Sequence, residues 1–143
     1  MLKNVPGFRL LSHMSSGSSR TPVTTPRAPA AIGPYSQGIL AGGTLWCSGQ
    51  IALKPDNGSL VTGDIEAETE RVLDNLGAVL EAASMSYGNV ARCTVYLADI
   101  NDYGAVNEVY ARYFSNAKPA REAVEVASLP RGARVEISCV AVR

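Results

Sequence analysis

Chemistry in this chain has to be done almost entirely without imidazole, because its one histidine, His13, stands in the opening segment. The remainder has no means of building a Ser-His-Asp, Cys-His or His-metal site. Its cysteines, Cys47, Cys93 and Cys139, are odd in number and lack CxxC spacing, which suits neither a disulfide framework nor a zinc site and leaves buried free thiols as the expectation. Neither GxxxxGK nor GxGxxG occurs, so nothing suggests a phosphate-cradling loop. Carboxylates, guanidinium, phenol and hydroxyl groups remain, and no metal or cofactor is expected. Arg121 follows Pro119-Ala120, a constrained start to a strand, and its forked guanidinium suits bidentate capture of a carboxylate. The competing reading is a structural ion pair with Glu125 or Glu136. Glu136 lies between Val135 and Ile137, so partial desolvation should raise its pKa toward the range where a carboxyl passes protons near neutrality. Tyr35 sits in Gly33-Pro34-Tyr35-Ser36-Gln37-Gly38, a stiff segment able to hold a phenol at a cleft rim, with simple packing as the alternative.

The elements that must position these groups are legible from periodicity. Residues 20–34 carry Pro22, Pro26, Pro29 and Pro34, too many breaks for a helix, so this stretch is expected to lie extended along the domain. Residues 44–51 read as a strand, followed by turn chemistry at Asn57-Gly58 that suggests a hairpin. From Asp64 the period changes: Ile65, Val72, Leu73, Leu76, Val79, Leu80 and Ala83 recur at helical spacing, with Asp64 placed to cap and the helix ending near 84–88. Residues 90–98 form a β-branched run. Asn101 and Asp102 are candidate caps for a second helix through Val106, Val109, Tyr110 and Phe114. Two further strands are expected over 121–127 and 134–142. Such an alternation implies an α+β domain, a sheet with helices laid on one face. Strand parity assigns Val124, Val126, Val135, Ile137 and Cys139 to the covered face and places Arg121 and Glu136 together on the open one. An open face invites a second copy of the chain to cover it.

At 143 residues and 46% hydrophobic composition the chain suffices for one core and is too short for two. Formal charge is +0, which supplies no electrostatic basis for tracking phosphates, so nucleic acid is an unexpected partner. The charge is unevenly spread, however. Lys3, Arg9, Arg20, Arg27 and Lys54 all precede the first acid, Asp56. The segment 1–20 is basic, acid-free and rich in serine, without an uninterrupted apolar run for a secretory or membrane-spanning segment; this is the composition of a mitochondrial transit peptide. Its loss would remove three of thirteen basic residues and none of the acids, leaving a mildly acidic domain over 21–143, ten basic against thirteen acidic. The mitochondrial matrix is the expected location, with the cytoplasm as the alternative.

The segments AIGPYSQG (31–38), SGQIAL (48–53), VNEVYARYF (106–114), PAREAVEV (119–126) and LPRGARVEI (129–137) together resemble the signature of the Rid/YjgF family, in that family's order. The resemblance implies a chorismate-mutase-like α+β fold, a homotrimer and ligand clefts between neighbouring subunits. It also implies hydrolysis of small enamine and imine acids, such as 2-iminobutanoate and 2-iminopropanoate with its tautomer 2-aminoacrylate, to 2-keto acids and ammonia. That activity would protect mitochondrial metabolism, branched-chain amino-acid synthesis included. By the same resemblance Arg121 grips the ligand carboxylate and Glu136 handles water and protons. Tyr35, Ser48, Gly49 and Asn107 line or position the cleft. Many relatives carry cysteine where this chain has Ala123, so a thiol nucleophile is absent there; imine hydrolysis does not need one, the C=N carbon being electrophilic already. Two other classes of function stay open: a ribonuclease or translation inhibitor, poorly served by a chain without catalytic histidine or basic stripe, and a non-catalytic carboxylate-binding regulator using the same clefts.

Overall fold

The computed structural model describes residues 19–143, so the expected leader over 1–20, and His13 with it, lies outside the described residues except for Ser19 and Arg20. Among the described residues β1 (Thr21–Val23), β2 (Gly38–Ala41), β3 (Thr44–Gln50), β4 (Val90–Leu97), β5 (Ala120–Glu125) and β6 (Val135–Val142) join in one sheet, ordered β1-β2-β3-β6-β4-β5. Every pairing is antiparallel except β4 with β5. The helices, α1 (Ile65–Ala82) and α2 (Tyr103–Tyr113), cover one face. Alternate residues of β6, Val135, Ile137, Cys139 and Ala141, are buried there in a single cluster with Val72, Leu73, Leu76, Val79 and Leu80 of α1 and Val106 and Val109 of α2. This is the expected α+β arrangement.

Local chemistry explains the boundaries. Asp64 Oδ1 accepts the Ala67 amide at 2.6 Å, satisfying one of the donors a helix start leaves free, and Glu66 and Glu68 sit where the helix dipole favours acids. At the other end Ser84 takes a left-handed φ of 58° and the helix stops. Ahead of α2 the capping differs from expectation: Asp102 makes no side-chain bond to the helix, and Asp99 instead accepts the Asn101 amide at 2.9 Å in a 3-10 turn, Ile100–Asp102. The hairpin also falls elsewhere. Gly42 and Gly43, with φ of 55° and 79°, form the two-residue loop between β2 and β3, because consecutive left-handed residues match the twist of paired strands. Asn57-Gly58 does turn the chain, but joins only the Leu53–Leu60 bridge.

Two buried polar contacts fix the segments around the later site. Asn75 of α1, fully buried, donates to the carbonyls of Ile51 (3.2 Å) and Leu53 (2.9 Å). Glu68, equally buried, accepts from Arg134 Nε at 2.8 Å and so ties the head of β6 to α1. Arg134 therefore reaches the helix layer, although strand alternation from Glu136 would put it on the open face; it stands just ahead of β6 and is not bound by that alternation.

The larger correction concerns β5. Arg121 pairs laterally with Cys93, and Cys93 with Cys139, both buried beneath the helices; Glu136 pairs with Tyr96, and Tyr96 with Val124, on the opposite side. Arg121 and Ala123 thus face α2, Val124 is 44% exposed on the open face, and Arg121 and Glu136 of one copy point to opposite sides of the sheet. The parity reading took apolar residues as the mark of the covered face. Here the uncovered face is itself apolar, with Trp46 (56% exposed), Val142, Val140, Ile39 and Val124 beside Glu136 and Ser138. At the sheet edge the helix layer meanwhile leaves room for a guanidinium.

Candidate active site

Two half-sites result. The first forms around Glu136. Between Cys47 and Gln50 the register of β3 against β6 slips by one residue, a β-bulge at Ser48-Gly49 opposite Ser138. The bulge brings Gly49 against the Glu136 carboxyl so closely that a β-carbon at Gly49 would overlap Oε1 and lie 2.9 Å from Cδ. The carboxyl can occupy this place only because residue 49 has no side chain. Glu136 is half-buried, and desolvation pushes its pKa up, since no cation among the described residues pairs with it to compensate. It opens on a cavity of about 310 Å³ walled by Pro29, Ile32, Tyr35, Gly49, Ile51, Leu53, Pro130 and Arg131. Tyr35 reaches this rim because its amide bonds the Gly33 carbonyl at 2.8 Å across Pro34, a tight turn that turns the phenol outward, 51% exposed. Ser48 donates its hydroxyl to the Ser36 carbonyl at 2.6 Å, locking the Tyr35 loop to the bulge. It lines the neighbouring depression with Tyr35 and Trp46. Arg131, held in a left-handed conformation (φ 59°), donates to the Gly58 carbonyl at 2.8 Å and closes the far wall.

The second half-site surrounds Arg121. Its Nη1 donates to Asn107 Oδ1 at 2.8 Å and its Nη2 to the Tyr103 hydroxyl at 2.6 Å, while the guanidinium carbon lies 4.7 Å from the centre of the Tyr110 ring. Neither expected acid, Glu125 or Glu136, pairs with it. Glu125 accepts the Ile100 amide instead. The cavity beside Arg121, about 380 Å³, is lined by Asn107, Tyr110, Ala111, Phe114, Ser115, Lys118, Pro119 and Arg121, with no carboxylate among them. Tyr110 is buried beside the Cys93 thiol, its hydroxyl without a hydrogen-bond partner, and burial raises the pKa of both groups. The three cysteines are free and buried, as expected, in a row across adjacent strands.

The structure therefore brings Tyr35, Ser48, Gly49 and Glu136 together, separately joins Arg121 to Asn107, and does not unite the two groups within one copy. Sequence reasoning missed Tyr103, Tyr110, Pro130 and Arg131. The first two were detectable as members of a helical face, 103, 107, 110, opposite Arg121; Arg131 carried no local signal.

An uncompensated guanidinium fork and an uncompensated, desolvated carboxyl, on a one-layer α+β sheet, are groups with the chemistry to hold a small carboxylic acid and to move a proton. Comparison with known proteins narrows the class. The family described as Endoribonuclease L-PSP matches residues 25–143, and the chain belongs to it, the family of the Rid/YjgF proteins. It is 50% identical over 124 residues to the 2-iminobutanoate/2-iminopropanoate deaminase of Mus musculus, covering 87% of this chain and 92% of that one. Against Reactive Intermediate Deaminase A, chloroplastic, of Arabidopsis thaliana it is 43% identical over 141 residues, 99% of this chain and 75% of the relative. Among solved structures, E. coli TdcF with bound serine superposes with a TM-score of 0.83 at 38% identity, covering 86% of this chain and 98% of that one.

Proposed function

We propose that this chain hydrolyses small 2-imino acids, 2-iminobutanoate and 2-iminopropanoate with its enamine tautomer 2-aminoacrylate, to 2-keto acids and ammonia. It works in clefts between copies of a homotrimer. Arg121, held by Asn107, grips the substrate carboxylate from one copy; Glu136, with Tyr35, Ser48 and Gly49, faces it from the next. The observation that carries this reading is the pair of unneutralised charges on opposite faces of one sheet. An acid of three or four carbons is too short to meet both across a sheet within one copy, so a neighbour has to supply the second half. Relatives named as deaminases support the chemistry.

Glu136 takes a proton from water as the water oxygen adds to the imine carbon and the C=N electrons move to nitrogen. The carbinolamine then receives that proton on its amine. Glu136 next takes the hydroxyl proton as the C–O bond becomes the keto carbonyl and the C–N electron pair leaves with nitrogen, and it passes that proton to the departing nitrogen, which is released as ammonia. Positioning and one acid/base group account for about 10²–10⁴-fold each, enough for an intermediate that already hydrolyses unaided. Segment 1–20 directs the protein to the mitochondrial matrix on this reading, where clearing imines protects the metabolism around it, branched-chain amino-acid synthesis included; its basic, acid-free composition is the support.

The test generates the imine in place with a threonine or serine dehydratase and follows 2-keto acid release. Wild type accelerates release, Arg121→Ala raises KM steeply, and Glu136→Gln lowers kcat by roughly 10²-fold or more. Equal, uncatalysed release with all three proteins would leave a carboxylate-binding regulator, and RNA cleavage surviving both substitutions would favour the ribonuclease.

A further inference from the structure

We infer that Tyr103 is a positioning residue for the carboxylate grip, setting the aim of Arg121 from outside the cavity. The inference rests on the reading of Arg121 as the carboxylate anchor. Three side chains on one face of α2, at spacings of four and three residues, meet the guanidinium: Tyr103 and Asn107 by hydrogen bonds, Tyr110 by its ring face. They divide the work. Tyr110, 7% exposed, sits under the guanidinium as an apolar floor. Asn107 shares the cavity with Arg121 and holds Nη1, whereas Tyr103 is 40% exposed, is absent from the cavity wall and holds Nη2.

An arginine side chain has several soft torsions, and a partner at only one nitrogen leaves the plane of the fork free to swing about that bond. Acceptors on both terminal nitrogens fix the plane. Two of the five N–H groups are then committed to neutral acceptors, and three remain for the ligand's carboxylate. Neutral acceptors matter here: an acidic partner in the place of Tyr103 or Asn107 would cancel the charge the ligand is drawn to. Freezing the fork before the ligand arrives lowers the ordering cost of binding, so the effect of Tyr103 belongs in affinity and not in the chemical step.

The experiment uses the full assembly and two readouts, hydrolysis of dehydratase-generated 2-iminobutanoate and calorimetric binding of the product, 2-ketobutanoate. Tyr103→Phe keeps the ring and removes only the acceptor. It should raise KM and weaken 2-ketobutanoate binding by about tenfold, the scale of one hydrogen bond to a charged group, with kcat and melting temperature unchanged. In an Arg121→Lys background the same substitution should have no further effect, because Tyr103 acts through the fork. Unchanged binding and KM in Tyr103→Phe, or an equal loss on either background, would overturn the inference. Were wild type to bind 2-ketobutanoate with the expected Tyr103 dependence but hydrolyse nothing, the deaminase reading would fall while the positioning role stood.

Discussion

At the scale of single residues the proposal turns on how Glu136 is kept both unpaired and close to Gly49. Alanine at Gly49 places a methyl group where the carboxyl now sits, and the three nearest atoms it would meet all belong to the flexible Glu136 side chain, so the carboxyl is the group displaced. Gly49→Ala should therefore lose on the order of 10²-fold in kcat/KM with little change in melting temperature, seen by keto-acid release beside thermal unfolding. Burial makes a further, pH-dependent statement. Glu136 must be ionised to accept a proton, and its pKa is raised by desolvation, so the acid limb of kcat/KM should be centred above about 4.3, the ordinary glutamate value. The limb should vanish in Glu136→Gln. Stability follows with the opposite sign from the usual carboxylate. The folded chain keeps this proton after the unfolded chain has released it, so stability falls as pH rises from the unfolded pKa through the folded one. Glu136→Gln should then melt higher than wild type above that window, and the difference should close below it, as a series of melts against pH would register. The flanking Val135 and Ile137 made this desolvation readable from sequence; the need for Gly49 was not readable, because it arises from a bulge in another strand.

At the scale of elements, one buried side chain lashes the proline-rich segment to the sheet. Gln37, 3% exposed, donates from Nε2 to the carbonyls of Thr25, Ala28 and Pro29 and accepts the Thr25 amide on Oε1 at 2.7 Å. That segment supplies Pro29, Ala30 and Ile32 to the Glu136 cavity. Gln37→Ala orphans buried backbone groups and should cost about 2–4 kcal/mol in urea unfolding, with the cavity wall loosened and KM raised. Sequence showed this segment as extended and domain-bound, since four prolines forbid a helix, but gave no sign that residues 21–23 would add a strand. Both helices and the strands β3, β4, β5 and β6 were legible because their periods are strong. The side to which β5 turns was not: period fixes which residues share a face, whereas the choice of face depends on what covers each one. Val124 and Trp46 lie on a face that neither α1 nor α2 covers.

At the scale of the whole molecule that uncovered apolar face and the divided site lead to the same arrangement. Trp46, Val140, Val142 and Val124 in the open are a standing cost for a lone copy in water. In the proposed trimer a neighbour covers them, and the same act brings Glu136, on that face, toward the neighbour's Arg121. Assembly and catalysis are then one event, and subunit mixing separates this from a site complete in one chain. On this account Arg121→Ala and Glu136→Gln homo-oligomers each keep about a hundredth or less of the wild-type activity at substrate concentrations near the wild-type KM. Unfolded together in equal amounts and refolded, they form rings in which an intact arginine meets an intact glutamate across about one cleft in four, given random closure around a cyclic interface. Keto-acid release should recover to about that fraction of wild type, while mixing the two preparations without unfolding recovers nothing. A site drawing both groups from the same chain gives no recovery under either treatment, since every chain in the mixture lacks one of the two.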